Sequence, residues 1–322
     1  MSRAGKIALL ALGVALAFLL ALIAGKVWVP LWGLGAGDPR GVIMMELRLP
    51  RALLALTIGA GLGLSGAALQ GYTRNPLADP AILGISALAA LGAVGAIFLG
   101  LGASIGVVAT CAMAGAALAV LLLGALAGRS ASAVAFVLAG TVLSSLAGAL
   151  IALLITLSPN PFATSEIMSW LMGALTDRSW LELEIALPLV LTGAALLMTQ
   201  ARSLDVLTLG EPVARSLGLD PRRLQAVLAL ALALIVGGSV AVTGIVGFVG
   251  LIVPHLLRPL FGAEPSRLLL PSALGGALLV LVADSLVRLV PGAGELRLGV
   301  AMALIGAPFF FALLVRYRRE LA

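Results

Sequence analysis

Hydrophobic and polar positions in this chain alternate in long blocks rather than residue by residue. Apolar runs occupy roughly 7–25, 51–72, 82–100, 104–127, 133–157, 180–201, 224–246, 268–288 and 297–315; a tenth, 248–260, is shorter and carries Pro254. About 20 apolar residues make a helix long enough to cross the hydrocarbon core of a bilayer. Lipid offers backbone groups no partner, so such runs must be helices unless they close into a barrel. A barrel strand alternates apolar and polar positions, and these runs do not. The pattern predicts an all-α polytopic membrane protein of about ten transmembrane helices, folded as one transmembrane domain over 1–322.

The polar breaks set the orientation. Arg3 and Lys6 precede the first run, while Arg316, Arg318 and Arg319 follow the last. Basic residues favour the cytoplasmic side, so both termini are expected in the cytoplasm. That requires an even number of crossings and counts 248–260 as a span. Two breaks are long. The stretch 159–177 falls outside on this topology, with a short helix expected at the interface. The stretch 202–223 falls in the cytoplasm and holds Asp205, Glu211, Arg215, Asp220, Arg222 and Arg223. Pro212 and Pro221 each suit the first turn of a short helix, and a polar loop with its own helices usually has a partner to touch.

Composition narrows the class. The chain is 61% hydrophobic and 11% charged, more apolar surface than a soluble domain of this length can hide. Its 39 glycines and 5% aromatics suit helices packed closely through small residues. The net charge of +6 does not point to nucleic acid, because the basic residues lie singly or in short clusters between apolar runs. Cys111 is the one cysteine and His255 the one histidine, which excludes an intrachain disulfide and a multi-histidine metal site. The first run is too long for a signal-peptide core and reads as an uncleaved first helix.

A shift of 178 residues aligns Gly59 with Gly237, Ser65-Gly66 with Thr243-Gly244, Pro76 with Pro254 and Gly84 with Gly262. An offset of five crossings would invert one copy relative to the other, an architecture common in transporters.

The most informative segment is 48–86, RLPRALLALTIGAGLGLSGAALQGYTRNPLADPAILGIS. Gly59, Gly61, Gly63 and Gly66 are expected to form a smooth packing face. Gln70 is polar near the inner end of that helix, and 74–80, with Asn75, reads as broken backbone, tolerated in a membrane only when buried in protein or lining a cavity. This segment resembles the FecCD-type permeases, membrane subunits of bacterial importers for iron chelates, haem and cobalamin. The resemblance continues through Leu138-Ala139-Gly140, Trp170-Leu171-Met172-Gly173, Leu209-Gly210-Glu211, the run GFVGLIVPHLLR at 247–258, Ala283-Asp284 and Gly306-Ala307-Pro308. Arg297 departs from the family's usual proline.

The resemblance implies a homodimer in the bacterial inner membrane with its path along the dimer axis. It implies two ATPase subunits inside, which carry ATP and Mg, and a periplasmic binding protein outside. This chain has no G-x-x-x-x-G-K-[ST] loop, so no nucleotide cofactor is expected on it and any ATP hydrolysis falls to another chain. By resemblance, 202–223 is the ATPase-coupling loop, and Arg48, Arg51 and Arg288 meet acidic residues of the binding protein. Ser130, Ala131, Ser132, Ala133 and Val134 fall at the inner gate. Asp284 is one turn before Arg288 and suited to pair with it. Met168 and Met172 suit either an apolar vestibule or core filling, the latter favoured.

Two rival functions have sequence handles. Gly63-Leu64-Ser65-Gly66 has the G-x-S-G form of a rhomboid-type intramembrane serine protease, which needs a base within reach of the serine. An autonomous ion-coupled carrier buries ionisable residues at the midplane, where these runs are almost free of them.

Overall fold

The structure is a computed structural model and describes residues 2–30, 32, 38–127, 132–290 and 295–321, the side chains of 317–321 excepted. Among the described residues it is all helical. The first helix, α1 (Arg3–Ile23), begins on Ser2, whose hydroxyl accepts from Gly5 N. A short α2 (Pro39–Val42) and a π-helical stretch, Ile43–Arg48, run without interruption into α3 (Leu49–Thr73). Then come α4 (Ile85–Phe98), α5 (Ile105–Ala127), α6 (Ala133–Thr156), α7 (Pro161–Leu171) and α8 (Trp180–Thr199). Two short helices, α9 (Ala201–Leu207) and α10 (Glu211–Ser216), lead into α11 (Pro221–Leu232), which a π-helical insertion at Ala233–Gly237 joins to α12 (Gly238–Thr243). The chain ends with α13 (Val249–Phe261), α14 (Pro265–Leu289) and α15 (Leu298–Leu321).

Eight of these helical runs are long and apolar enough to cross a membrane, and α4 and α13 are shorter apolar helices. Together they coincide with the ten runs read from the sequence. At 14 and 13 residues, α4 and α13 reach only about 20 Å, short of the ~30 Å hydrocarbon core. Each is completed by irregular backbone, 74–84 before α4 and 244–248 before α13. The two breaks meet around Pro80: a Cβ on Gly250, at the start of α13, would sit 2.7 Å from Pro80 Cδ. Gly244 turns at φ +73, and a side chain there would meet the Trp170 carbonyl at 2.1 Å. Only glycine fits.

The centre of the bundle is a seam between α3, α13 and α14. A Cβ at Gly59 would stand 2.4 Å from Gly276 O, at Gly63 2.1 Å from Ser272 O, and at Gly66 2.0 Å from Gly250 O. Backbones this close gain dispersion contacts that larger residues would prevent. Gly61 is a correction to the single glycine face: it points to Ile235 and Val190 instead, because two residues along a helix turn the side by about 200°. The 178-residue register is a second correction. It sets Pro76, in the turn after α3, against Pro254 inside α13, and Gly66 within α3 against the chain break at Gly244.

Both ends of the chain lie at one end of the bundle. Lys6 Nζ donates to Leu260 O at 2.6 Å, Ser266 N donates to Asp205 at 2.8 Å, and the charge of Arg316 reaches His255. The α9–α10 segment is at that same end, while α7 and the start of α15 are at the other.

Candidate functional site

At the end shared by the termini, Gly210 (φ +96) and Gly218 (φ +86) bracket α10. Pro212 enters the first turn of the short α10, as the sequence predicts, whereas Pro221 opens not a short helix but the long apolar run Pro221–Thr243, where Asp220 caps by accepting from Arg222 N at 2.9 Å. Glu211 and Arg215 pair at 2.6 Å on the surface, an interaction worth little by itself. Arg222 and Arg223 are exposed. The sequence reading missed three exposed apolar side chains around α10: Leu209 before its Gly210 cap, Val213 within it and Leu217 at its C-terminal end are 60%, 46% and 62% exposed. Asp205, read as a coupling residue, is half-buried, and its carboxylate caps the first turn of α14 through Ser266 N.

At the opposite end, Arg48, Arg51 and Arg288 do come together, but none is an exposed cation; they are 8%, 8% and 5% exposed. Arg48 donates to the carbonyls of Leu22 and Ile23, both at 2.8 Å, and to Val27 O. It thereby satisfies the last turn of α1, whose carbonyls have no helical partner. Arg51 is bidentate on Asp284, with Nη2 at 2.9 Å and Nε at 3.1 Å from both oxygens. Arg288 takes the other side of Asp284 and donates to Ala21 O at 2.9 Å. The expected Asp284–Arg288 pair is therefore half of a triad. Glu295 binds Arg51 at 2.9 Å and accepts from Thr176 at 2.9 Å. Burial alone would raise the Glu295 pKa, but the Arg51 hydrogen bond and charge outweigh it and hold the carboxyl below its ordinary value. The physical reason for burying Arg51 and Arg288 is the buried carboxylate, since an unpaired Asp284 inside the bundle would be costly. These groups floor a cleft of about 280 Å³.

The gate and path residues scatter. Ser130 and Ala131 lie outside the described residues. Ser132 caps α6 by accepting from Ala135 N, Ala133 is half-buried and Val134 is exposed. Gln70 is 2% exposed and cross-links α3 to α13: its Nε2 donates to Gly250 O at 3.2 Å and its Oε1 accepts from Arg258 at 3.0 Å. It also lines a cleft of about 250 Å³ with Arg74 and Arg258. Asn75 is exposed and closes a turn by accepting from Leu77 N.

A larger open cleft, about 920 Å³, lies between the end of α6, α7 and the start of α15. Met168 and Met172 line it and are exposed, which corrects the preference for core filling. Ser65 is fully buried and its hydroxyl bonds to no described group, so it lacks the base a serine protease needs. Among the described residues no group of three or more His, Cys, Asp or Glu could hold a metal.

Ten apolar helices, eight of them long enough to span a bilayer, packed along a glycine seam make this a multi-pass membrane protein. The FecCD transport family matches residues 13–316, and the chain belongs to that family. It is 40% identical over 318 residues to the vitamin B12 import system permease protein BtuC of Salmonella paratyphi A, covering 96% of this chain and 94% of that one. It is 39% identical over 293 residues to the ABC transporter permease protein YvrB of Bacillus subtilis, covering 89% and 82%. A solved structure described as an inward-facing conformation of a metal-chelate type ABC transporter superposes with a TM-score of 0.87 at 32% identity, covering 98% of this chain and 99% of that one.

Proposed function

We propose that this chain is the membrane-spanning half of an importer that carries a metal chelate (haem, a ferric siderophore or cobalamin) across the bacterial inner membrane by alternating access. It works as a homodimer with two separate ATPase subunits, which bind ATP and Mg, and receives its cargo from a periplasmic binding protein. Both termini are then cytoplasmic. The observation that supports the reading is the α10 segment, whose Leu209, Val213 and Leu217 are exposed among the cations Arg215, Arg222 and Arg223. Three large apolar side chains in water are unfavourable unless a partner covers them. They sit at the end of the bundle that the positive-inside signal assigns to the cytoplasm, where an ATPase would dock. By family resemblance the binding protein docks at the other end, on the surface around the 280 Å³ cleft that Arg48, Arg51 and Arg288 line.

The test is to co-purify the chain with its ATPase, reconstitute both, and add binding protein loaded in turn with haem, a ferric siderophore or cobalamin. ATPase stimulation and uptake with one cargo support the reading. Transport by the chain alone down an ion gradient would replace it with the carrier reading. Charge reversal at Arg215 or Arg222 should uncouple ATP hydrolysis from uptake while the binding protein still docks.

A further inference from the structure

The 920 Å³ cleft has a chemical bias that the metal-chelate reading leaves open. Its lining is mostly hydroxyl, amide and thioether: Ser158, Asn160, Thr164 and Ser165 beside Met168 and Met172. Arg297 is the one charged side chain among the described lining residues. It is half-buried and held in place by Ser169, whose Oγ accepts from Arg297 Nη2 at 2.6 Å. Among the described residues Arg297 forms no salt bridge. The nearest acid in sequence, Glu295, is engaged by Arg51 and Thr176. An oriented guanidinium with no local counter-charge, on the wall of an open cleft, suits a bidentate carboxylate. Methionine is soft and adaptable and suits the apolar body of a flat or bulky chelate.

We infer that Arg297 makes this cleft a recognition site for metal chelates that bear carboxylates, with Arg297 on the carboxylate and Met168 and Met172 against the apolar body. The inference rests on the importer reading and sharpens its substrate class. The cleft opens at the end of the bundle opposite the termini, the end at which cargo arrives in that reading. It continues from the outer end of α6, where Thr156 is exposed. A chelate whose periphery is neutral amides gains nothing from the guanidinium, and its arrival leaves Arg297 partly desolvated without compensation.

The experiment uses the permease with its ATPase in nanodiscs of zwitterionic lipid. Equilibrium binding is measured for haemin, haemin dimethyl ester and dicyanocobinamide, with empty discs subtracted. Haemin has two carboxylates, its diester none, and dicyanocobinamide carries amides with neither carboxylate nor phosphate. Haemin should bind about tenfold more tightly than its diester. Arg297→Gln should remove that difference, Arg297→Lys should keep part of it, and dicyanocobinamide should be insensitive to both. Equal affinity for haemin and its diester in the wild type, no saturable haemin binding, or an unchanged ratio in Arg297→Gln overturns the inference. The wild-type ratio decides even if a variant folds poorly. ATP-driven uptake by the same preparation separates the two readings: intact uptake with no ratio sinks the carboxylate site alone, and a ratio without ATP-driven uptake sinks the importer.

Discussion

Replacing Asp284 with asparagine conserves volume and removes one charge from the most deeply paired group in the molecule. Asp284 is 0% exposed, and its two oxygens accept from Arg51 Nε and Nη2 and from Arg288 Nε and Nη2. An asparagine keeps one acceptor oxygen and turns an NH2 donor toward guanidinium donors, so two buried cations lose their counter-charge. Breaking a buried pair from one side costs about 3–5 kcal/mol. Here Glu295 still holds Arg51 at 2.9 Å and Ala21 O still holds Arg288 at 2.9 Å. The loss should therefore fall near the lower bound, about 3 kcal/mol. The assay is thermal and denaturant unfolding of the purified chain in one detergent, for wild type, Asp284→Asn, Arg288→Gln and the double variant. The double variant should be more stable than the sum of the singles predicts, because Arg288→Gln removes one orphaned charge. An Asp284→Asn protein that unfolds with the wild type, or strictly additive losses, would refute the argument that this carboxylate is what keeps the arginines inside.

Two further outcomes follow from the same geometry. Gly66→Ala places a methyl 2.0 Å from Gly250 O, too close for backbone to accommodate without moving α13, and should destabilise by about 1–3 kcal/mol; Gly95→Ala, inside α4 with nothing within 4 Å, should not destabilise and should gain up to about 1 kcal/mol of helix propensity in the same melting experiment. Glu295 has its pKa lowered in the folded state, so its contribution is present above the unfolded value and lost as pH falls through the folded one. Wild-type stability should decline on acidification below the ordinary glutamate range, and Glu295→Gln should flatten that part of the profile.

The apolar helices were legible because a membrane makes hydrophobicity nearly sufficient: each run had to be a helix. The short run 248–260 was counted not from its length but from the basic residues at both ends of the chain. The helix starts at Pro212 and Pro221 were legible because proline marks a first turn, though the second opens the long run Pro221–Thr243 and not a short helix. Burial of the arginines was not. A sequence shows that Arg48, Arg51, Asp284 and Arg288 exist, but 233 residues separate Arg51 from Asp284, and only the packing of α3 on α14 brings them together. The contacts of Gln70 were hidden for the same reason, since its partners, Gly250 and Arg258, come from α13. The exposed apolar residues around α10 failed to register because one turn of helix in a polar loop reads as loop.

One helix connects the two ends that matter. α14 is 25 residues long, about 37 Å. Its first turn is capped by Asp205 of α9, and its last turns carry Asp284 and Arg288. The cap residue proper, Glu264, makes no side-chain cap bond and pairs with Arg267 instead, so the hold from α9 is the one that orders this N-terminus. Between its ends α14 is locked against α3 by backbone contacts at Gly59, Gly63 and Gly276. Such a seam resists sliding, because a shift along either axis would push larger neighbours into spaces only glycine leaves. A displacement of α9 that is carried through the Asp205 cap must then move α14 and α3 as one body. The arginine triad at the far end would travel with them, and the irregular breaks at 74–84 and 244–248 are where the rest of the bundle can yield.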